Sequence, residues 1–178
     1  ITGCRWCHEM TRTLNMTVKI TALAAVLVLA ACGSAPPLQP RSDAPSWQEP
    51  AARLTLDQAH DVTIYALSLV GTPYRHGGNT PEAGFDCSGL IGHVYKTRGG
   101  LQMPRTVARL QDAGQSVPAA QLRSGDLVIF RQRGEATHAG IYVGADRFVH
   151  APSTGGEVRL DNLRSKYWAA QQVAYRRP

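Results

Sequence analysis

The apolar residues of this chain change their period once, and that change limits what it can fold into. From Thr55 to Ala113 they recur at helical spacing; from Asp126 onward they come as short β-rich runs. Thr55 and Gln58 have the spacing of a capping box, and Ala59, Val62, Ala66, Leu69 and Val70 mark one face before Gly71 and Pro73 stop the helix. A second helix is predicted from about Cys87 to Arg98, with Leu90, Ile91, Val94 and Tyr95 on one side and Gly99-Gly100 at its end. A third runs from Thr106 to Ala113 and stops at Gly114, and "PYRHGGNTPEAG" reads as a loop. Then "DLVIF", "HAGIYVG", "RFVHA", "EVRL" and "VAYRR" follow, separated by Gly, Asp, Asn and Ser. Helices first and strands afterwards imply an α+β domain, with N-terminal helices packed on a C-terminal antiparallel sheet.

The first third has a different character. In "MTVKITALAAVLVLAACGS" one Lys precedes an apolar run from Ile20 to Ala31, too short to span a bilayer comfortably but suited to a signal-peptide core. "LAAC" resembles the lipobox of bacterial lipoproteins, which implies lipidation of Cys32 and, with Gly33 after it, an outer-membrane anchor facing the periplasm. Residues 1–31 are therefore expected to be an over-extended start plus a lipoprotein signal peptide, and 32–52 a lipidated cysteine with a Pro/Ser-rich tether. "CRWCH", Cys4 to His8, matches a haem-attachment pattern but lies upstream of the signal core and would leave with it.

The net charge of +6 comes from 19 basic and 13 acidic residues; without Arg5, Arg12, Lys19 and Glu9 it falls to +4. No dense basic run with interleaved aromatics appears, so nucleic acid is not an expected partner. A polyanionic wall or lipid surface is compatible with this mild excess.

Cys87 starts the second helix and, once the leader is gone and Cys32 is lipidated, has no disulfide partner in the chain. The N–H groups of a helix start favour a thiolate, which would make Cys87 a nucleophile with a lowered pKa. A small buried hydrophobe is the competing reading. Of His76, His93, His138 and His150, His93 falls on the side of its helix away from Leu90 and Val94, as a solvated surface residue would. His138 and His150 share one sheet face if a three-residue turn, Gly144 to Asp146, sets Val143 opposite Arg147 and Gly140 opposite His150; Ile141, Val143 and Val149 then take the core face. A two-residue turn would put the two histidines on opposite faces. A zinc site lacks the close-spaced ligand pairs it needs, so no metal is expected.

Taken together, "GTPYRHGG", "GFDCSGLIGHVY", "MPRT", "RSGDLVIF", "HAGIYVG" and "RFVHAPS", in this order, resemble the NlpC-type family of papain-like bacterial cell-wall cysteine peptidases. The lipoprotein leader with one catalytic domain is similar to Spr-like murein endopeptidases. The resemblance spans about Leu56 to Arg177 and implies a peptidase domain over 53–178. It implies Cys87 as nucleophile, His138 as general base and acid, and His150 as the residue that orients His138. Tyr74 would help bind the oxyanion or substrate, and Asp86 and Ser88 flank the nucleophile as a substrate-binding pair. The substrate implied is peptidoglycan, cut by a monomer without metal or organic cofactor. The D-Ala–diaminopimelate cross-link and the D-Glu–diaminopimelate bond both remain open as the scissile bond. So do a related amidase or acyltransferase activity and a non-catalytic wall-binding role.

Overall fold

Thr55 opens the first helix with the reciprocal bonds of a capping box: its hydroxyl accepts from Gln58 N–H at 3.2 Å, and the Gln58 side chain accepts from Thr55 N–H at 2.9 Å. The computed structural model describes residues 53–153 and 156–178. The expected signal peptide, Cys32 and the tether lie outside the described residues. Helix α1, Leu56–Ser68, buries Ala59, Val62 and Ala66. Val70, expected on the same face, lies past the helix end and is exposed.

The stretch read as a loop contains a small hairpin, β1 (Asn79–Thr80) and β2 (Gly84–Phe85). Two-residue strands carry no alternation for a sequence reading to detect. Helix α2, Cys87–Gly99, follows at once; its Leu90, Ile91, Val94 and Tyr95 are fully buried, and Gly100 ends it at φ 66°. Helix α3 is only Val107–Leu110, shorter than expected. The chain must turn there so that β3, Gln115–Ser116, can pair with the C-terminal strand at Arg177 and Arg176. At Gly114 it passes so close to Arg177 that a side chain would meet the Arg177 carbonyl.

Strands β4 (Leu127–Gln132), β5 (Glu135–Gly144), β6 (Arg147–His150), β7 (Arg159–Asn162) and β8 (Gln172–Arg177) complete a six-stranded antiparallel sheet of order β3-β8-β4-β5-β6-β7. A short helix, α4 (Lys166–Ala169), connects the last two strands and was not anticipated. Strand β4 is buried on both faces over its first four residues, which is why "DLVIF" lacks alternation. Leu127, Ile129, Ala139, Ile141 and Val149 join Val62, Ala66, Leu90, Ile91 and Val94 in the main core. Val128, Phe130, Tyr142 and Phe148 form a second cluster with Trp168 of α4.

The β5–β6 connection corrects one expectation and explains why its consequence survives. Only Ala145 and Asp146 connect the strands, both at positive φ (51° and 57°), and Gly144 pairs with Arg147. A two-residue turn alone would separate the histidines, but the register shifts between Tyr142↔Phe148 and Gly144↔Arg147. Val143 is the extra residue, a bulge that restores the register Ile141↔Val149 and returns His138 and His150 to one face. A second bulge lies at Thr137, between Phe130↔His138 and Arg131↔Ala136.

A buried ion pair ties the end of β8 to the residue that precedes β4. Arg177 Nε and Nη2 donate to the two oxygens of Asp126 at 2.9 Å each, and Nη2 also donates to the Gln121 carbonyl at 2.7 Å. Both residues are almost fully buried. Losing one partner strands the other, so Asp126→Ala is expected to cost about 3–5 kcal/mol. Urea unfolding followed by circular dichroism measures this; a loss under about 1 kcal/mol would contradict the pair's role.

Candidate active site

The first turn of α2 is held by a cap that uses both oxygens of Asp86. Oδ1 accepts from Gly89 N–H at 2.6 Å and lies 2.8 Å from the Ser88 hydroxyl, while Oδ2 accepts from Gly77 N–H at 2.9 Å. The Ser88 hydroxyl also lies 2.9 Å from the Arg105 carbonyl, and Arg105 stands 3.9 Å from Asp86. Asp86 and Ser88 thus brace the helix start, and neither lines the cavity that Cys87 opens into.

That cavity, about 370 Å³, is walled by Cys87 and Tyr74 from the helical half and by His138, Phe130 and Trp168 from the sheet half, with Arg159 at its rim. The backbone N–H groups of Ser88, Ala139 and Cys87 itself lie near enough to the thiol to favour its ionised form. Ala139 follows His138, so the contact brings the helix start against β5 beside the imidazole. Burial nevertheless pushes the thiol pKa up, and the Asp86 charge adds to it; the three N–H groups oppose both without winning. The lowered pKa expected from the helix start is therefore not found: burial of the thiol, with the carboxylate of the cap adding to it, outweighs the N–H groups. Burial also raises the Tyr74 phenol, with Cys87 and Asp86 next in effect.

His138 and His150 are joined ring to ring, Nε2 of the first to Nδ1 of the second at 2.8 Å. His150, fully buried, continues through its Nε2 to Asp161 Oδ2 at 3.0 Å. That oxygen also accepts from Trp168 Nε1 at 2.8 Å and from Arg159 Nε and Nη2 at 3.1 and 2.9 Å. Burial lowers the pKa of His138 to about 3, helped by repulsion from His150 and Arg159. Burial likewise takes His150 to about 4, against the pull of Asp161. Burial would raise Asp161, but the donors of Trp168, Arg159 and His150 outweigh it and hold the carboxyl below its ordinary value.

At neutral pH the relay is therefore two neutral imidazoles on one carboxylate. A carboxylate only accepts, so His150 carries its proton on Nε2 and offers Nδ1 as a lone pair. His138 must then carry its proton on Nε2, which leaves Nδ1 as its basic nitrogen. One ring covers both imidazoles: Trp168 stacks on His138 at 5.7 Å and meets His150 edge-on at 5.2 Å.

Of the residues singled out in the sequence, Cys87, His138 and Tyr74 share the cavity wall, and His150 stands behind His138. His93 is half-buried rather than freely solvated: the Tyr65 hydroxyl lies 2.9 Å from its Nε2 and its ring packs on Phe85. Sequence reasoning missed Asp161, Arg159 and Trp168. The signal for them was a charged pair inside the short strand "RLDN" and an aromatic just after it, which only strand pairing ties to the histidines. Cys32 lies outside the described residues. Among those residues, no group of three His, Cys, Asp or Glu is arranged to hold a metal ion.

The chain matches the model of the NlpC/P60 family over residues 71–177. It is 37% identical over 140 residues to the murein DD-endopeptidase MepH of Escherichia coli K12, covering 71% of this chain and 52% of that protein. It is 38% identical over 107 residues to the murein DD-endopeptidase MepS/murein LD-carboxypeptidase of the same strain, covering 60% of this chain and 56% of that protein. The chain thus spans about half the length of these curated relatives. Among solved structures, the NlpC/p60 domain of the peptidoglycan hydrolase SagA superposes with a TM-score of 0.58 at 30% identity, covering 65% of this chain and 96% of that one.

A raised thiol beside a neutral imidazole makes a specific pH signature. Thiolate is the species that alkylates, so the rate of Cys87 modification by iodoacetamide is expected to keep rising from pH 7 through pH 9. A plateau already reached below pH 7 would show a resting thiolate–imidazolium pair and contradict this.

Proposed function

This chain belongs to the NlpC/P60 family, and from that premise we propose that it is a peptidoglycan endopeptidase working through Cys87, His138 and His150. The observation that carries the reading is a thiol at a helix start that shares one cavity wall with an imidazole linked through a second imidazole to a carboxylate. The names of the murein-cleaving relatives support the substrate class.

The resting pair is thiol and imidazole, so proton transfer accompanies bond formation. His138 Nδ1 takes the thiol proton as sulfur attacks an amide carbonyl, and the carbonyl oxygen becomes an oxyanion. In this reading the backbone N–H of Cys87 and the hydroxyl of Tyr74, which lines the same cavity, donate to that oxygen. The imidazolium so formed lies in line with His150 and the negative charge of Asp161. Collapse of the intermediate breaks the C–N bond, and the leaving amine takes the proton from Nδ1. Water then gives a proton to the same nitrogen as it attacks the thioester, releasing the acid and restoring the thiol. His150 touches no reacting atom and is a positioning residue.

The "LAAC" sequence ending at Cys32 supports a lipoprotein anchored in the bacterial cell envelope, in the outer membrane and facing the periplasm. The net positive charge would help hold anionic wall polymers, an attraction weakened by salt.

Mass spectrometry of fragments released from purified sacculi tests the reading. Cys87→Ala is expected to release none, and His138→Ala almost none, because residues that act as a unit are not additive. His150→Gln, which keeps a hydrogen-bonding side chain, is expected to retain part of a general-base contribution of roughly 10²–10⁴-fold. Undiminished release by folded Cys87→Ala would end the thiol mechanism.

A further inference from the structure

Arg159 is the only formally charged side chain among the described residues that line the Cys87 cavity. Its position there follows from the relay. On β7 it pairs with His150 of β6, and its Nε and Nη2 both donate to Asp161 Oδ2. Asp161 is not part of the cavity wall; its accepting oxygen is turned inward to His150 and Trp168. The cavity therefore meets the guanidinium rather than the carboxylate. The side chain is half exposed, and the contacts to Asp161 leave Nη1 uncommitted.

The side of the scissile bond that Arg159 faces can be deduced from the chemistry. His138 must deliver its proton to the departing nitrogen, so the leaving group lies on the histidine side of the thiol. Arg159 stands on that side, joined to His138 through Asp161 and His150. Resting on the endopeptidase reading above, we propose that Arg159 is a specificity-determining residue that binds a free carboxylate on the leaving-group half of the substrate. The substrate class is then an amide whose departing amine carries an ionised carboxylate on its own α-carbon. Of the two bonds left open by the sequence, the D-Ala–diaminopimelate cross-link has this feature. There the departing amine belongs to a diaminopimelate centre that keeps its carboxylate. In the D-Glu–diaminopimelate bond of an extended stem, the corresponding carboxyl is amide-linked to the next residue.

The guanidinium is suited to the task because it stays charged at every relevant pH and presents a planar edge to a carboxylate. Its tether to Asp161 removes much of the rotamer freedom that binding would otherwise cost. Half exposure tempers the gain, so the discrimination expected is about tenfold rather than the larger factor of a desolvated pair.

The test uses two cross-linked stem-peptide dimers identical except that the carboxylate beside the scissile nitrogen is free in one and amidated in the other. Wild-type protein is expected to show kcat/KM about tenfold higher for the free acid, falling toward equality at high salt. Arg159→Met should bring the ratio near one, and Arg159→Lys should keep part of it. Any effect of Arg159 on the imidazoles acts on both substrates and cancels in the ratio. Calorimetric binding of both dimers to the Cys87→Ala protein gives the same comparison without chemistry. Equal kcat/KM for the two in wild type, or a preference that survives in Arg159→Met, would overturn the proposal. Hydrolysis of neither dimer would overturn the endopeptidase reading instead, and equal binding to Cys87→Ala would then overturn the role of Arg159 as well.

Discussion

The Oδ2 oxygen of Asp161 collects a proton donor from each of three side chains, and one of those donors decides the state of both imidazoles. Because an ionised carboxylate can only accept, His150 is committed to one tautomer, and His150 commits His138 to the same one. The basic nitrogen of His138 thereby ends on the ring edge not used in the relay. Without an acceptor at the end of the chain either tautomer would satisfy the His138–His150 bond. Arg159 and Trp168 keep the acceptor ionised despite burial, which holds its carboxyl below the ordinary range.

Placing that relay against the thiol is the work of the backbone. Helix α2 and strand β5 meet where the Cys87 thiol lies beside the backbone N–H of Ala139, and the meeting depends on two local devices. Asp86 ties the helix start to Gly77 and Gly89. The bulges at Thr137 and Val143 frame the part of β5 that carries His138 and set its register against β4 and β6. Asp86 also has a chemical cost, since its charge opposes ionisation of the neighbouring thiol. In the proposed mechanism thiol and imidazole are both neutral at rest, so that charge develops only as the sulfur attacks.

The helix–sheet order was legible because periodicity reports burial, and α1 and α2 each bury one face while most of the later strands carry β-rich runs. The capping box at Thr55 and the stop at Gly100 were equally plain, being local in sequence. What was hidden depends on pairing between distant segments. Asp161 reaches His150 only because β7 lies beside β6, and nothing within "RLDN" marks that neighbour. The length of α3 was set by the need to bring β3 to β8, a demand made 60 residues away in the chain. The β5–β6 turn was misread by one residue, yet the inference about the histidines held because a bulge supplied the missing residue. The sign of the Cys87 shift was misjudged because the helix start was read without weighing the cap's own charge and the burial around it.

Nitrogen-15 NMR of histidine-labelled protein at pH 7 tests the tautomer assignment most directly, because protonated and unprotonated ring nitrogens have well-separated shifts. The expected result is a protonated Nε2 and an unprotonated Nδ1 on both His138 and His150, in agreement with imidazoles whose pKa values burial has lowered to about 3 and about 4. A protonated Nδ1 on His138, whether as the other tautomer or as an imidazolium, would contradict it: the base would then hold its proton on the nitrogen assigned to receive the thiol's.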